Sequence, residues 1–286
     1  MDTVAGTTGD DTFAVTDTLL TLGDTISGGA GTDTLNLSAA NAVTTALPLG
    51  ATVTGVENFN IVGAAAVTAN TSAIADVTSV SVTNSGANAV ALTGSATQDL
   101  TVTNATRVAA AVAVDGGKDV SVTAGSLVAN GTVGGTTTVG ATTAAAGAVT
   151  VVANTTSAEV ADTKDTTSGA IAVTGGTTVD VTQNIAATAA AATALVTANA
   201  GLTHTGGAVT VTGNASTSAV TVTQTATVAE VKSATIGREG ITAGGVTVND
   251  ANRASTTAAG TIETVTLTNA GAATVNSGPL KTLNLG

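Results

Sequence analysis

The sequence predicts an all-β protein, a parallel β-solenoid of the β-helix or β-roll kind with coils of roughly 20 residues. Three observations predict it. Apolar residues alternate with Thr or Ser in short segments, which is the period-two signature of a strand. Gly, Asn, Asp and Ser separate those segments, so a turn follows about every ten residues. Aromatic residues make up 1% of the 286 residues, with Phe13 and Phe59 alone and neither Trp nor Tyr. A β-sandwich interior about 10 Å thick needs large side chains from both sheets, whereas Val, Ala, Ile and Leu fill the narrow channel of a flattened solenoid.

The strand segments can be followed along the chain. Val80-Ser-Val82, Val90-Ala-Leu92, Leu100-Thr-Val102, Val112-Ala-Val114 and Val120-Ser-Val122 form the first run. Val149-Thr-Val151, Ile171-Ala-Val173, Val179-Asp-Val181, Val209-Thr-Val211, Val220-Thr-Val222, Val246-Thr-Val248, Val265-Thr-Leu267 and Leu283-Asn-Leu285 form the second. Two strands and two turns make a coil, with Val102, Val122, Val211 and Val222 inward and Thr101, Thr103, Thr210, Thr212, Thr221 and Thr223 outward. The reading divides the chain into a calcium-binding β-roll start at 1–37 and a Val/Thr-rich solenoid at 38–286. Insertions are expected near 153–169 (a polar loop), 186–200 (Ala-rich, a short helix or an extra coil) and 229–240 (charged). The ending at Leu283-Asn-Leu285 reads as an interrupted strand, and the chain is expected to be a fragment.

Charge narrows the function. Hydrophobic residues are 43% and charged residues 9%, the opposite of a disordered composition. The formal net charge is −12, and before Arg107 there is no Lys or Arg against nine carboxylates. Such an acidic pole repels nucleic acid and anionic lipid and attracts cations, so no nucleic-acid partner is expected. No apolar run of membrane-spanning length occurs, so no membrane insertion is expected. Cysteine is absent, which excludes disulfides and thiolate chemistry.

The sharpest local pattern is Gly28-Gly29-Ala30-Gly31-Thr32-Asp33-Thr34-Leu35-Asn36, which fits the calcium-binding nonapeptide G-G-x-G-x-D-x-U-x. Glycines allow a tight turn with inward carbonyls, the aspartate adds a carboxylate, and such hard oxygen ligands suit Ca²⁺. Asp24 and Ile26 lie nine residues before Asp33 and Leu35, in a degenerate copy with Leu22 where glycine is expected. Gly9-Asp10-Asp11-Thr12-Phe13 repeats the G-x-D-x-U order. The candidate metal residues are therefore Asp11, Asp24, Asp33, Asp10, Gly9, Gly29 and Gly31, with Ca²⁺ as the expected cofactor. The alternative is that Asp11, Asp24 and Asp33 cap turns by hydrogen-bonding backbone.

The order GTTGDDTF at 6–13, LGDTISGGAGTDTLNL at 22–37 and GVENFNI at 55–61, followed by Val/Thr repeats, resembles the repeats-in-toxin group of bacterial secreted proteins, and within it the S-layer and adhesin-like surface proteins. The motifs cover residues 6–61; beyond them the resemblance is one of composition and rhythm. It implies a calcium-dependent β-solenoid, type I secretion from a Gram-negative bacterium and assembly at the cell surface. Three imperfect motifs are few for that group, and no further G-G-x-G-x-D follows residue 37.

Catalytic constellations are nearly absent. His204 is the only histidine, sits among turn residues and reads as solvent-facing. No G-x-S-x-G or phosphate-binding loop occurs. The acidic pair Asp162 and Asp165 lacks the aromatic neighbours that a sugar-cleaving site uses. The chain is therefore expected not to be an enzyme. It is expected to be a self-associating building block of a secreted surface layer, with surface polysaccharide as a further partner. The alternative is a segment of a calcium-dependent adhesin. Ice binding by Thr-x-Thr ladders is a third reading, weakened by the uneven spacing of the pieces at 101, 210 and 221.

Overall fold

The computed structural model describes residues 1–43, 50–86, 88–129, 131–158, 165–188, 203–229 and 240–286. It is a parallel β-solenoid. The long sheet has eleven strands: Thr12–Thr16, Thr34–Ala39, Asn58–Gly63, Ser79–Asn84, Asp99–Arg107, Val120–Val128, Val149–Ala158, Thr178–Thr188, Ala219–Ala229, Thr264–Thr268 and Thr282–Leu285. Facing it, an opposing sheet of eight strands runs from Val67–Asn70 to Ala273–Asn276. A leading sheet (Thr3–Ala5, Thr25–Ser27, Thr52–Thr54) and a side sheet (Thr166–Thr167, Thr203–Thr205, Gly240–Thr242) have three strands each. Within every sheet the strands follow chain order and pair in parallel, so each strand is bonded to the one a coil later.

Every Val/Thr segment read from the sequence lies in one of these strands. Register explains the small side chains. Leu35, Phe59, Val80, Leu100 and Val120 stack in one inward column of the long sheet, and Leu37, Ile61, Val82, Val102 and Val122 in the next. All are at most 2% exposed. Burying each such side chain stabilises the fold by about 1.5–3 kcal/mol, and the columns merge into one core cluster from Leu20 to Leu267. Val211 and Val222 are buried as expected, while Thr101 and Thr103 are exposed and Thr210, Thr212, Thr221 and Thr223 half-buried on the outer faces.

The interior is not wholly aliphatic. One inward column of the long sheet holds Asn84 and Asn104, then Ala124 and Ala153, then Gln183 and Gln224. Asn84 Nδ2 donates to the Ala65 carbonyl at 2.7 Å, Asn104 Nδ2 to Asn88 at 3.0 Å, and Gln183 Nε2 to Gly207 at 3.2 Å. Gln224 Nε2 donates to Gln183 Oε1 at 2.8 Å. The amides thus satisfy carbonyls of the turns that lead into the opposing sheet, which aliphatic side chains would leave unpaired.

Coil length holds near the expected value at first and then grows. Partners one coil apart are 22, 24, 21 and 20 residues distant up to Asp119. They are 29, 30 and 41 residues distant at Asp119–Ala148, Asn154–Asn184 and Gln183–Gln224. The added chain lengthens the central strands and forms the side sheet. Expected insertions therefore begin as strand: Val149–Ala158 runs into the stretch 153–169, which Thr166–Thr167 re-enters, and Thr178–Thr188 and Ala219–Ala229 run into the other two. Thr155 and Ser157 take buried inward positions between the exposed Asn154 and Thr156, so no apolar alternation marks this part of the strand, which has the composition of a loop. Residues 159–164, 189–202 and 230–239 lie outside the described residues. The expected division at residue 37 falls inside the strand Thr34–Ala39, and the core is continuous across it.

Candidate metal-binding turns

Each leading-sheet strand passes to the long sheet through a turn, and these turns stack. The first spans Gly6 to Asp11 and the second Gly28 to Asp33; in the third, Gly55-Val56-Glu57 does the same work. Gly29 (φ 109) and Gly31 (φ 126) need the left-handed region. A β-carbon at Gly29 would strike the Thr7 carbonyl, and one at Gly31 would stand 2.7 Å from the carbonyl carbon of Gly9. Glycine is required at both for the turns to nest. Gly9, at the top of the stack, has only the Thr7 hydroxyl near it, at 3.9 Å from such a carbon.

The register that pairs Thr12 with Thr34 and Thr34 with Asn58 places Asp11, Asp33 and Glu57 in one column. The carboxylates of Asp33 and Glu57 each take a backbone N–H from the coil before: Asp11 N–H donates to Asp33 Oδ1 at 2.7 Å, and Asp33 N–H donates to Glu57 Oε2 at 2.7 Å. Asp10 Oδ1 accepts from Thr32 N–H at 2.7 Å. Asp11 Oδ2 accepts from the Thr7 N–H at 2.5 Å and its hydroxyl at 3.0 Å. Asp76 Oδ2 takes the Gly55 N–H at 2.8 Å. Glu57 lies in GVENFNI but did not stand out as a ligand, because that segment lacks the aspartate of the nonapeptide, and Asp76 sits in no such motif. The signal that finds Glu57 is its offset of 24 residues from Asp33, close to the 22 that separates Asp33 from Asp11.

Asp24 stands apart. It ends the opposite turn, which returns from the long sheet to the leading sheet, and its register partner is Asp2 rather than Asp33. Nine residues is less than half of a 22-residue coil, so the short repeat places alternate motifs on opposite edges. Both Asp24 oxygens are occupied: Oδ1 accepts from Asp2 N–H at 2.7 Å, and Oδ2 accepts from the Thr21 N–H and hydroxyl, each at 2.8 Å. Those bonds, led by the Asp2 N–H, hold its carboxyl at about 2 against an ordinary 3.8. A carboxylate so engaged acts as a turn cap.

Asp33 differs in one atom. It is fully buried, its Oδ1 is occupied by Asp11, and its Oδ2 has no hydrogen-bond partner. That oxygen and the Gly55 carbonyl oxygen converge where Gly28 would carry a β-carbon. The same arrangement recurs one coil earlier, where Asp11 Oδ2 and the Gly28 carbonyl converge over Gly6. Pairs of carboxylate and carbonyl oxygens are the hard donors that Ca²⁺ takes. Among the described residues no three acidic or histidine side chains converge on one point, so carbonyls supply the balance of any ligand set here. The seven sequence candidates are thus split: Asp10, Asp11, Asp33, Gly9, Gly29 and Gly31 share one edge, and Asp24 lies on the other.

No protein-family model matches the chain, and no curated protein matches it. His204 is not solvent-facing. It lies on the strand Thr203–Thr205 and is fully buried, because the side sheet turns this strand's middle residue inward against the extended central strands. Asp165, one of the acidic pair, is exposed and accepts the Thr203 N–H at 2.9 Å; Asp162 lies outside the described residues.

Proposed function

We propose that this chain is a structural building block of a secreted bacterial surface layer, a solenoid that Ca²⁺ stabilises at its acidic edge and that associates with copies of itself. The observation that carries the reading is the acidic turn column, in which a buried, unpartnered Asp33 oxygen faces the Gly55 carbonyl beside Asp11 and Glu57 with no lysine or arginine in the first 106 residues. Asp33 and the Gly55 carbonyl, and Asp11 with the Gly28 carbonyl, would hold the ion, and Asp10 and Glu57 would keep their turns in place. Bound calcium supplies positive charge where carboxylates otherwise repel each other, which tightens the coils and lowers the repulsion between molecules. The stacked, self-filled core supports a structural role, since rigidity along the stack is what an array component needs.

Electron microscopy and sedimentation with millimolar Ca²⁺ and with chelator test the reading. Ordered sheets or filaments that dissolve on chelation are expected. The same monomer under both conditions would overturn it.

A further inference from the structure

His204 carries an inference separate from the acidic edge. Its ring is fully buried, and both nitrogens meet hydroxyls: Nδ1 lies 2.7 Å from Thr166 Oγ1 and Nε2 lies 2.9 Å from Ser168 Oγ. Thr166 Oγ1 in turn lies 3.0 Å from Ser157 Oγ on the long sheet. Thr166, Ser168 and Ser157 are themselves buried. This chain of polar side chains is the described side-chain link between the side sheet and the long sheet, and its central member is titratable.

A neutral imidazole suits the arrangement, with one nitrogen donating and the other accepting. Uptake of one proton at the accepting nitrogen makes both nitrogens donors, so the hydroxyl that had donated must turn its hydrogen away within a buried row. The new charge also needs compensation. Among the described residues, the strands packed around the ring offer none: Thr166–Thr167, Gly240–Thr242, Val149–Ala158 and Ala219–Ala229 contain no ionisable residue, and the one on Thr178–Thr188, Asp180, points outward and is exposed. Asp165, next to Thr166, is exposed and already accepts the Thr203 N–H.

We propose that the side sheet is an acid-released flap: protonation of His204 opens Thr166–Ser168, Thr203–Gly206 and Gly240–Thr242 from the body of the solenoid, while the long and opposing sheets stay paired. The sign follows from burial, which holds the imidazole below its ordinary 6.5. Opening restores the ordinary value, so opening becomes easier as pH falls below 6.5, by up to about tenfold per pH unit. The gain levels off once the buried ring itself protonates. The two main sheets contain no histidine.

Because the chain has a single histidine, its imidazole proton resonance can be titrated without assignment. The folded protein should titrate below 6.5. Hydrogen exchange, corrected for intrinsic rates and run at constant calcium, should show protection of the three flap segments falling by up to about tenfold per unit between about pH 6.5 and 5. Protection of the long sheet should stay level, and His204→Gln should remove the pH dependence. An imidazole titrating at or above 6.5, flap protection that does not change with pH, or equal loss in the long sheet would overturn the proposal. The first and second of these are read on the wild-type chain, so they stand even if the variant does not fold.

Discussion

The acidic edge and the middle of the solenoid meet the same requirement with opposite chemistry. Both must satisfy backbone groups where the chain leaves one sheet for another. At the edge, carboxylates of Asp33 and Glu57 accept N–H groups of the neighbouring coil, and Asp11 accepts the Thr7 N–H of its own turn. In the middle, the amides of Asn84, Asn104 and Gln183 donate to carbonyls from inside the core. The difference teaches where charge is tolerated. A carboxylate near solvent keeps part of its hydration, whereas an ion in the central channel would lose it, so neutral amides do the work there. Asp33 and Asp250 are both fully buried, but the Asp250 oxygens accept from Asn252, Thr261, Ile262 and Ser277 whereas Asp33 Oδ2 has no partner, and that oxygen is the basis of the calcium proposal.

The sharpest way to break the comparison is to place a charge in the channel. Val211→Asp should destabilise by more than about 4 kcal/mol, because no partner awaits the carboxylate. Its neighbour Thr212→Asp, on the outer face, should stay within about 0.5 kcal/mol of the parent. Thermal or denaturant melting reads both, and similar losses would mean that the inside-outside register is wrong.

Next in size is crowding of the stacked turns. A β-carbon at Gly28 would run into the Gly55 carbonyl and Asp33 Oδ2, while Gly278 has nothing within 4 Å of that position. Gly28→Ala should therefore cost about 2–3 kcal/mol and Gly278→Ala almost nothing. The pair distinguishes a true steric requirement from a general glycine effect.

In the amide column, Gln183→Leu would leave the Gly207 carbonyl unpaired and remove the acceptor of Gln224, so a loss of about 1–3 kcal/mol is expected by melting. At the edge, Asp33→Ala should lose at least one calcium site in calorimetric titration, whereas Asp24→Asn should keep the parent stoichiometry. Equal stoichiometry for parent and Asp33→Ala would remove Asp33 from the ligand set.

The smallest effect is a matter of pH. Asp24 titrates at about 2 when folded and has an ordinary value of 3.8. Its contribution is complete above 3.8 and is lost as pH falls from there towards 2. Asp24→Asn should flatten the acid limb of the stability curve in that window. Asp250 behaves alike: burial pushes it up, but the N–H groups of Ile262, Asn252 and Thr261 and the Ser277 hydroxyl outweigh burial and hold it low.

Much of this was legible in the sequence. Alternation at Val80, Leu100, Val120 and Val149 fixes strand and face together, because period two leaves no other choice once one face is buried. Small side chains fix a thin core. The motif Gly28 to Asp33 marked the edge where a carboxylate turns inward. What was not legible is the exact register: spacing gives coils of roughly 20 residues, but the 22-residue offset that puts Asp11 beside Asp33, and so moves Asp24 to the other edge, is set by how the coils pair. His204 was misread for a similar reason. Thr-His-Thr followed by Gly206-Gly207 has the composition of a turn, and its burial comes from central strands that outgrow the opposing sheet.

The parallel register, which shifts between Asn104 and Arg107 in the long sheet, also decides how the molecule carries load. Inter-strand hydrogen bonds run from coil to coil, along the stack. Tension applied along that direction strains one rung at a time and peels coils in sequence, while tension along the strands shears a whole ladder at once. The central strands Val149–Ala158, Thr178–Thr188 and Ala219–Ala229, with the longest ladders, are then the part of the protein that resists sideways pull most strongly, and the side sheet, where Thr166–Thr167 pairs through two residues, resists it least.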